Sequence, residues 1–309
     1  MLRFACAAAL ALAVAGCAEL GASAMGDGTS VSVGRPSNGY IRNAKKLPDS
    51  GDGFRTQAVW KERNNRYGTD ELLDLITGVG RRMSMRFTDV KLVVADLSGN
   101  GGGESRKWHR SHQSGRDVDL VYYMRAPDGA SFEADAMRVF GIDGKAKDGS
   151  GYSVDVPRTW QLVKNLVTAP EARVQWVFMY EPIAQMLLAH AVATGEAEAL
   201  IARARKAMKQ PGDSAPHNDH MHVRIYCSDR DRMFGCADIG PMELYAEYQA
   251  EAEQVGKLPP VIASLFEGAA QIGSSTMLGI ASSGEPDRAA PPEAVRRLII
   301  AAPLRFWRR

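Results

Sequence analysis

The stretch His217-Asn218-Asp219-His220-Met221-His222-Val223-Arg224 holds three of the six histidines in a 309-residue chain. The residues after His220 alternate in character and run into Val223, Ile225 and Tyr226, which predicts a strand. Side chains two apart on a strand share a face, so His220, His222 and Arg224 are expected side by side. Two imidazoles on one face suit a metal ion, or a metal ligand beside a proton-transfer group. A solvated polar face or a hydrogen-bonded histidine pair would show the same spacing.

A second cluster, Trp108 to Asp119, adds His109, His112, Asp117 and Asp119. The two acids open the apolar run Leu120 to Met124, which reads as a strand with both acids on one face. Gly115 supplies a turn that can bring the His112 imidazole back over that strand. One histidine from each cluster plus an aspartate makes a three-ligand zinc site with an open fourth position, the pattern of catalytic zinc. A closed structural site would need a further ligand, and the chain has only four cysteines. Asp117 could orient a ligand imidazole from behind, or simply be solvated at the strand start.

His112, six intervening residues, Asp119 and then His220-Met221-His222 resembles the His-x6-Asp…His-x-His signature. Peptidases related to lysostaphin, the D-Ala-D-Ala metallopeptidases and the hedgehog signalling domain share it. Ser37 to Tyr40, Arg66 to Thr69, Gly101 to Gly103, Ser111 to Asp119 and His220 to Arg224 resemble the penicillin-insensitive murein endopeptidases more closely, over roughly residues 35–240. The resemblance implies a small antiparallel sheet with zinc on one face. It implies His112, Asp119 and His222 as the metal ligands and His220 in catalysis, a choice that strand geometry alone leaves open. It implies a substrate too: the D-alanyl–meso-diaminopimelyl crosslink between peptidoglycan stem peptides. Zinc so held would lower the pKa of a bound water to about 7, and His220 would take its proton. His217 could stabilise the oxyanion or relay the proton. His109 is a candidate for supporting the ligands or meeting substrate. Arg116 and Arg224 flank the motifs and could meet substrate carboxylates or form structural salt bridges. Some members of the family carry a further metal site at an Asp-x-x-His pair. Here Asp143-Gly144-Lys145-Ala146 lacks the histidine, so one zinc per chain is expected.

Other classes stay in view. A D,D-carboxypeptidase or dipeptidase of the same superfamily would trim free ends. A non-catalytic zinc-binding cell-wall lipoprotein would not need His220 and His217. Ser111 and Ser114 lie in no Gly-x-Ser-x-Gly elbow, and no His-Glu-x-x-His helix is present. A net charge of +2 gives no broad case for nucleic acid.

The rest of the chain must position these groups. Residues 1–16 read as a secretory signal peptide. Val14-Ala15-Gly16-Cys17 looks like a lipobox, implying lipid on Cys17 and a membrane anchor in the periplasm of a Gram-negative cell, or else simple cleavage. Residues 17–35 read as a Gly/Ser/Ala-rich tether, 36–257 as the zinc peptidase domain, and 258–309 as a tail with a basic, aromatic end. In an exported protein Cys227 and Cys236 suggest a disulfide. A Thr69-capped helix over Asp70 to Ile76, a strand over Val90 to Asp96, and helices at Pro157 to Val167, Pro182 to Ala193, Ala197 to Met208 and 240–257 are expected. Between them lie a strand over Val174 to Tyr180 and an irregular stretch, 125–155. Helices interleaved with mostly antiparallel strands predict an α+β domain.

Overall fold

The computed structural model describes residues 27–104, 109–212 and 214–256. The signal peptide, Cys17, most of the tether, Trp108 and the 258–309 tail lie outside the described residues. The chain opens with a hairpin, β1 (Val31–Arg35) and β2 (Asn38–Arg42), followed by the short β3 (Lys45–Lys46), β4 (Ser50–Gly51) and β5 (Phe54–Arg55). Helix α1 (Ala58–Arg63), β6 (Tyr67–Gly68), α2 (Asp70–Arg86) and β7 (Leu92–Val93) lead to β8 (Asp117–Val121). Then come β9 (Met124–Arg125), β10 (Ser131–Phe132), β11 (Ser153–Val154), α3 (Val156–Val167), β12 (Val174–Phe178), α4 (Glu181–Ala193) and α5 (Glu198–Ala207). The last elements are β13 (Met208–Lys209), β14 (His220–Ile225), α6 (Asp229–Met233) and α7 (Glu243–Gly256). The α+β expectation holds.

The sheet that matters for function has the order β13-β12-β14-β8. β14 runs antiparallel to both β12 and β8, and β13 joins the outer edge of β12 in parallel. Period-two alternation divides this sheet into two faces. Val118, Leu120, Met221, Val223 and Val177 are buried in the apolar core. Asp117, Asp119, His220, His222, Arg224, Trp176 and Phe178 occupy the other face, where the register sets His222 opposite Asp119 and Arg224 opposite Asp117. Helix α3 packs on β12 and against α2, α4 and α5. It starts where the sequence says it should, with the Asp155 side chain accepting the Arg158 N–H and Pro157 in the first turn. Helix α2 is capped by Thr69, whose side chain accepts the Leu72 N–H, and carries Asp70 and Glu71 in its first turn.

Three expectations change. Val31 to Arg35, assigned to the tether, forms β1. Its Gly34 N–H donates to the Gly235 carbonyl, so the fold begins before residue 36. The stretch 125–155 is not all irregular, because β9 pairs with β10 and β11 in a small antiparallel sheet. Arg116 lies one residue before β8 and so faces away from the acids. Its guanidinium is buried, bonding Asp238 at 2.8 Å, the Ser32 hydroxyl and the carbonyls of Ile225 and Ala237. Of the two readings of Arg116, the structural one applies. Cys227 and Cys236 form the expected disulfide, next to this pair.

Losing one partner of a buried ion pair strands the other charge. Arg116→Ala should therefore cost about 3–5 kcal/mol in urea denaturation. A cost below about 1 kcal/mol, the range of an exposed pair, would contradict this role.

Candidate metal centre

The turn before β8 bends His112 onto the sheet. Gly115 permits it: φ is +75°, and a Cβ there would lie 2.6 Å from Ile41. His112 itself adopts φ 65°, a left-handed conformation rare for a side-chain-bearing residue. Its backbone N–H donates to Asp117 Oδ2 at 3.2 Å, and its Nδ1–H donates to the Leu97 carbonyl at 3.2 Å. A carbonyl can only accept, so Nε2 of neutral His112 carries the lone pair. On β14, His222 Nε2 donates to Asp117 Oδ1 at 2.9 Å, which leaves the lone pair on Nδ1. The two lone pairs point at one another, with His112 Nε2 and His222 Nδ1 3.1 Å apart.

Asp119 completes the convergence. Its Oδ1 is 3.3 Å from His112 Nε2 and 3.4 Å from His222 Nδ1, yet it is buried with no hydrogen-bond partner. Three ligand atoms about 2 Å from a tetrahedral zinc would stand roughly 3.3 Å apart. Two opposed lone pairs and an orphaned carboxylate oxygen at those separations form a cage that calls for a cation. His112, Asp119 and His222 therefore fit a divalent metal.

His109 is nearer than a supporting role requires. Its Nε2 donates to the buried Asp96 at 3.0 Å, and Arg63 donates to the same oxygen at 2.8 Å. That leaves Nδ1 facing inward, 3.8 Å from Asp119 Oδ2. Ligating atoms of His109, His112 and Asp119 all lie within 4.8 Å of one another, so this trio too could hold a metal ion. The Asp96–His109 link escapes sequence reading, because Asp96 belongs to the extended segment after β7 and no spacing connects the two.

His220 stands beside the cage, with Nε2 3.4 Å from Asp119 Oδ1 and Nδ1 2.7 Å from Asp219 Oδ1. Asp219 is a further residue that sequence reasoning missed; a carboxylate adjacent to a histidine is the only signal it offered. His217 sits with its ring centroid 5.0 Å from that of His220. Its Nδ1–H donates to the Ala215 carbonyl at 2.8 Å, and Tyr122 Oη donates to the His217 carbonyl at 2.9 Å. Arg224 Nε donates to Asp117 Oδ1 at 2.6 Å. The structure thus brings His109, His112, Asp117, Asp119, His217, His220, His222 and Arg224 together, and leaves Arg116 out.

The electrostatics agree with a cation-seeking cage. Burial would raise the Asp117 carboxyl, but the Arg224 guanidinium and His222 override it and hold it well below the usual carboxylate range. Burial is likewise overridden at Asp119, chiefly by His112 and His220, and its carboxyl is also held low. Burial opposes charge on His220, yet the Asp119 and Asp219 carboxylates push it up to about 10. His222 is raised as well, against its burial, by Asp117 and Asp119. Two buried carboxylates draw protons onto the imidazoles around them, and a divalent ion would supply that positive charge instead. His217 moves the other way, to about 4, because burial and the neighbouring His220 and His222 disfavour its cation.

The family model for penicillin-insensitive murein endopeptidases matches residues 32–248 of this chain. The chain is 27% identical over 245 residues to the protein of that name in Klebsiella pneumoniae strain 342, spanning 76% of this chain and 81% of that one. It is 29% identical over 206 residues to the Haemophilus influenzae protein of that name, 65% of each chain. The corresponding Pectobacterium atrosepticum protein is 28% identical over 205 residues, 65% of this chain and 66% of its own.

The cage geometry separates ligands from neighbours. Elemental analysis of the purified protein should find about one divalent metal per chain, as three ligands with an open position imply. His112→Ala, Asp119→Ala and His222→Ala should each lose it, whereas His109→Ala should retain most of it. Full occupancy in the first three would overturn the cage, and loss in the fourth would make His109 a ligand.

Proposed function

Because this chain belongs to the penicillin-insensitive murein endopeptidase family, we propose that it is a zinc-dependent murein endopeptidase cutting the D-alanyl–meso-diaminopimelyl crosslink between stem peptides. The observation that carries this reading is the cage itself: His112 Nε2, His222 Nδ1 and the unpartnered Asp119 Oδ1 separated by 3.1–3.4 Å, with His220 Nε2 3.4 Å from that oxygen. Zinc held by His112, Asp119 and His222 would polarise the scissile carbonyl and acidify water at its open position.

The other side chains divide the remaining work. His220 keeps Nδ1–H on Asp219, so its neutral form presents the Nε2 lone pair to the cage and can take a proton there. Asp219 then stabilises the imidazolium until the proton passes to the leaving amine. His217, held neutral with Nδ1–H on Ala215, presents an acceptor at Nε2. That tautomer favours a proton relay over donation to an oxyanion. Asp117 fixes His222, as carboxylates behind ligand imidazoles do, and Asp96 fixes the neighbouring His109 in the same way. No serine takes part in the chemistry, which accounts for indifference to β-lactams.

We further place the protein in the periplasm, tethered through lipid on Cys17. No helix among the described residues is long and apolar enough to cross a membrane. A Cys17→Ser variant should move from the membrane fraction to the soluble periplasm; a wild type already soluble and unlipidated by mass would refute the anchor.

Purified protein should release monomers from crosslinked dimer muropeptides, identified by mass, and chelator should abolish the release. Trimming of pentapeptides without crosslink cleavage would point instead to a carboxypeptidase. His220→Ala should keep its zinc while kcat falls by about 10²- to 10⁴-fold. Asp219→Asn should show a smaller loss in the same direction. Full activity in His220→Ala would move the proton transfer to another group, with His217 the next candidate.

A further inference from the structure

The sheet face that carries the histidines continues beyond them. In register across the strands run two rows: Asp119–His222–Phe178–Lys209, and Asp117–Arg224–Trp176. Cross-strand neighbours project to the same side of a sheet. The Phe178 ring meets the His222 ring edge-on at 5.4 Å, and Trp176 stacks on Phe178 at 5.5 Å and 27°. The Arg224 guanidinium lies 5.3 Å over Phe178. Trp176 and Phe178 are only half-buried, while Val174, Gln175 and Val177 of the same strand are buried. An unbroken aromatic strip therefore leads from the metal cage toward the β13 edge.

At its far end the surface becomes concave. Two hollows of about 430 and 310 Å³ share Trp176 and Lys206 in their walls. The larger adds Arg205 and Lys209, against one acid, Glu181, whose Oε1 accepts the Gln185 side-chain N–H. Lys206 pairs with Glu247. Arg205 and Lys209 form no salt bridge among the described residues. The hollow is therefore positively charged, and two of its cations lack a salt-bridge partner.

We propose that this strip is a second murein-binding surface, taking the carboxylate-bearing stem peptide on one side of the scissile bond. The inference rests on the murein reading above. Charge complementarity selects the occupant: a stem peptide carries free carboxylates for Lys209 and Arg205, and alanyl and aliphatic groups for the faces of Phe178 and Trp176. A neutral glycan would leave the cations unused. The strip begins at the His222 ring, so a peptide seated in the cage at its scissile bond can continue along it without leaving the sheet face. Binding energy gained there, away from the reacting atoms, would hold the polymer in place for cleavage.

The test measures binding apart from cleavage. Calorimetric titration of the full-length zinc-loaded protein with a soluble tetrapeptide stem should give an affinity that falls with added salt. Arg205→Glu/Lys209→Glu and Trp176→Ala should each weaken it by about tenfold, and raise KM on intact murein similarly with kcat little changed. Arg205→Lys/Lys209→Arg and Trp176→Phe should retain most of the affinity, and thermal melts should show all variants folded. Stem-peptide binding undiminished in the charge-reversal variant would overturn the proposal, as would a fall in kcat with KM flat. So would an equal loss of binding to peptide-free glycan or to anionic vesicles, or the loss of self-association, because the occupant would then be something else. A wild type that binds stem peptide through these residues yet cuts no crosslink would refute the proposed activity and leave this surface standing. Cleavage insensitive to all these variants would do the reverse.

Discussion

The Asp117 carboxylate joins the two histidine clusters. One oxygen receives His222 Nε2 and Arg224 Nε, and the other receives the backbone N–H of His112. A single side chain therefore sets the tautomer of one candidate ligand and the main chain of another, 110 residues apart in sequence. A carboxylate with no solvent exposure is tolerable only because a guanidinium and an imidazole donate to it. The dependence runs both ways. Without Asp117, the Arg224 charge loses its partner, the His222 ring loses the contact that fixes its tautomer, and the His112 turn loses an anchor.

Alternation along β8 then separates two duties that one residue could not perform. Asp117 and Asp119 share a face and lie about two rises apart along the strand, roughly 7 Å. The first sits behind the imidazoles and is saturated with donors; the second sits among them with Oδ1 unpaired. Both stand on a strand whose alternate residues, Val118 and Leu120, are locked in the core. The apolar side of the sheet is what makes the polar side rigid, and a metal cage needs its ligands held to within a fraction of an ångström.

Much of this was legible in residue spacing. The period of two placed His220, His222 and Arg224 on one face, and Asp117 and Asp119 on another strand's equivalent face. The same period should have turned Arg116 away from the acids, since it immediately precedes Asp117. The cap at Thr69 and the proline start of α3 are local chemistry and were readable as such. What was not legible depends on partners remote in the chain. β1 offers only the brief alternation Val31-Ser32-Val33 inside a Gly- and Ser-rich stretch, too short to register as a period, and is fixed by β2 and by the loop around Gly235. The inward turn of His109 depends on Asp96 and Arg63, and the lone-pair direction of His112 depends on the Leu97 carbonyl. The small sheet of β9 to β11 is made of two-residue strands, too short for periodicity to register.

Backbone strain marks the same location as the electrostatics. Asn43, Asn64, His112 and His217 are the non-glycine residues with positive φ among those described. Asparagine visits that region readily, because its short side chain can bond locally. The two histidines have less reason to be there, and such conformations cost on the order of 1–3 kcal/mol each unless their surroundings over-determine them. Both are over-determined: His112 by Asp117 and Leu97, His217 by Tyr122 and Ala215. In each case the bonds that hold the backbone or the ring also settle which nitrogen is free. A packing or solubility role for these rings would not require that coincidence. Stability given up at His112 to aim its Nε2 lone pair at that of His222 and at the unpartnered Asp119 oxygen, with the strained His217 beside the neighbouring His220, makes sense if what occupies that space is a cation.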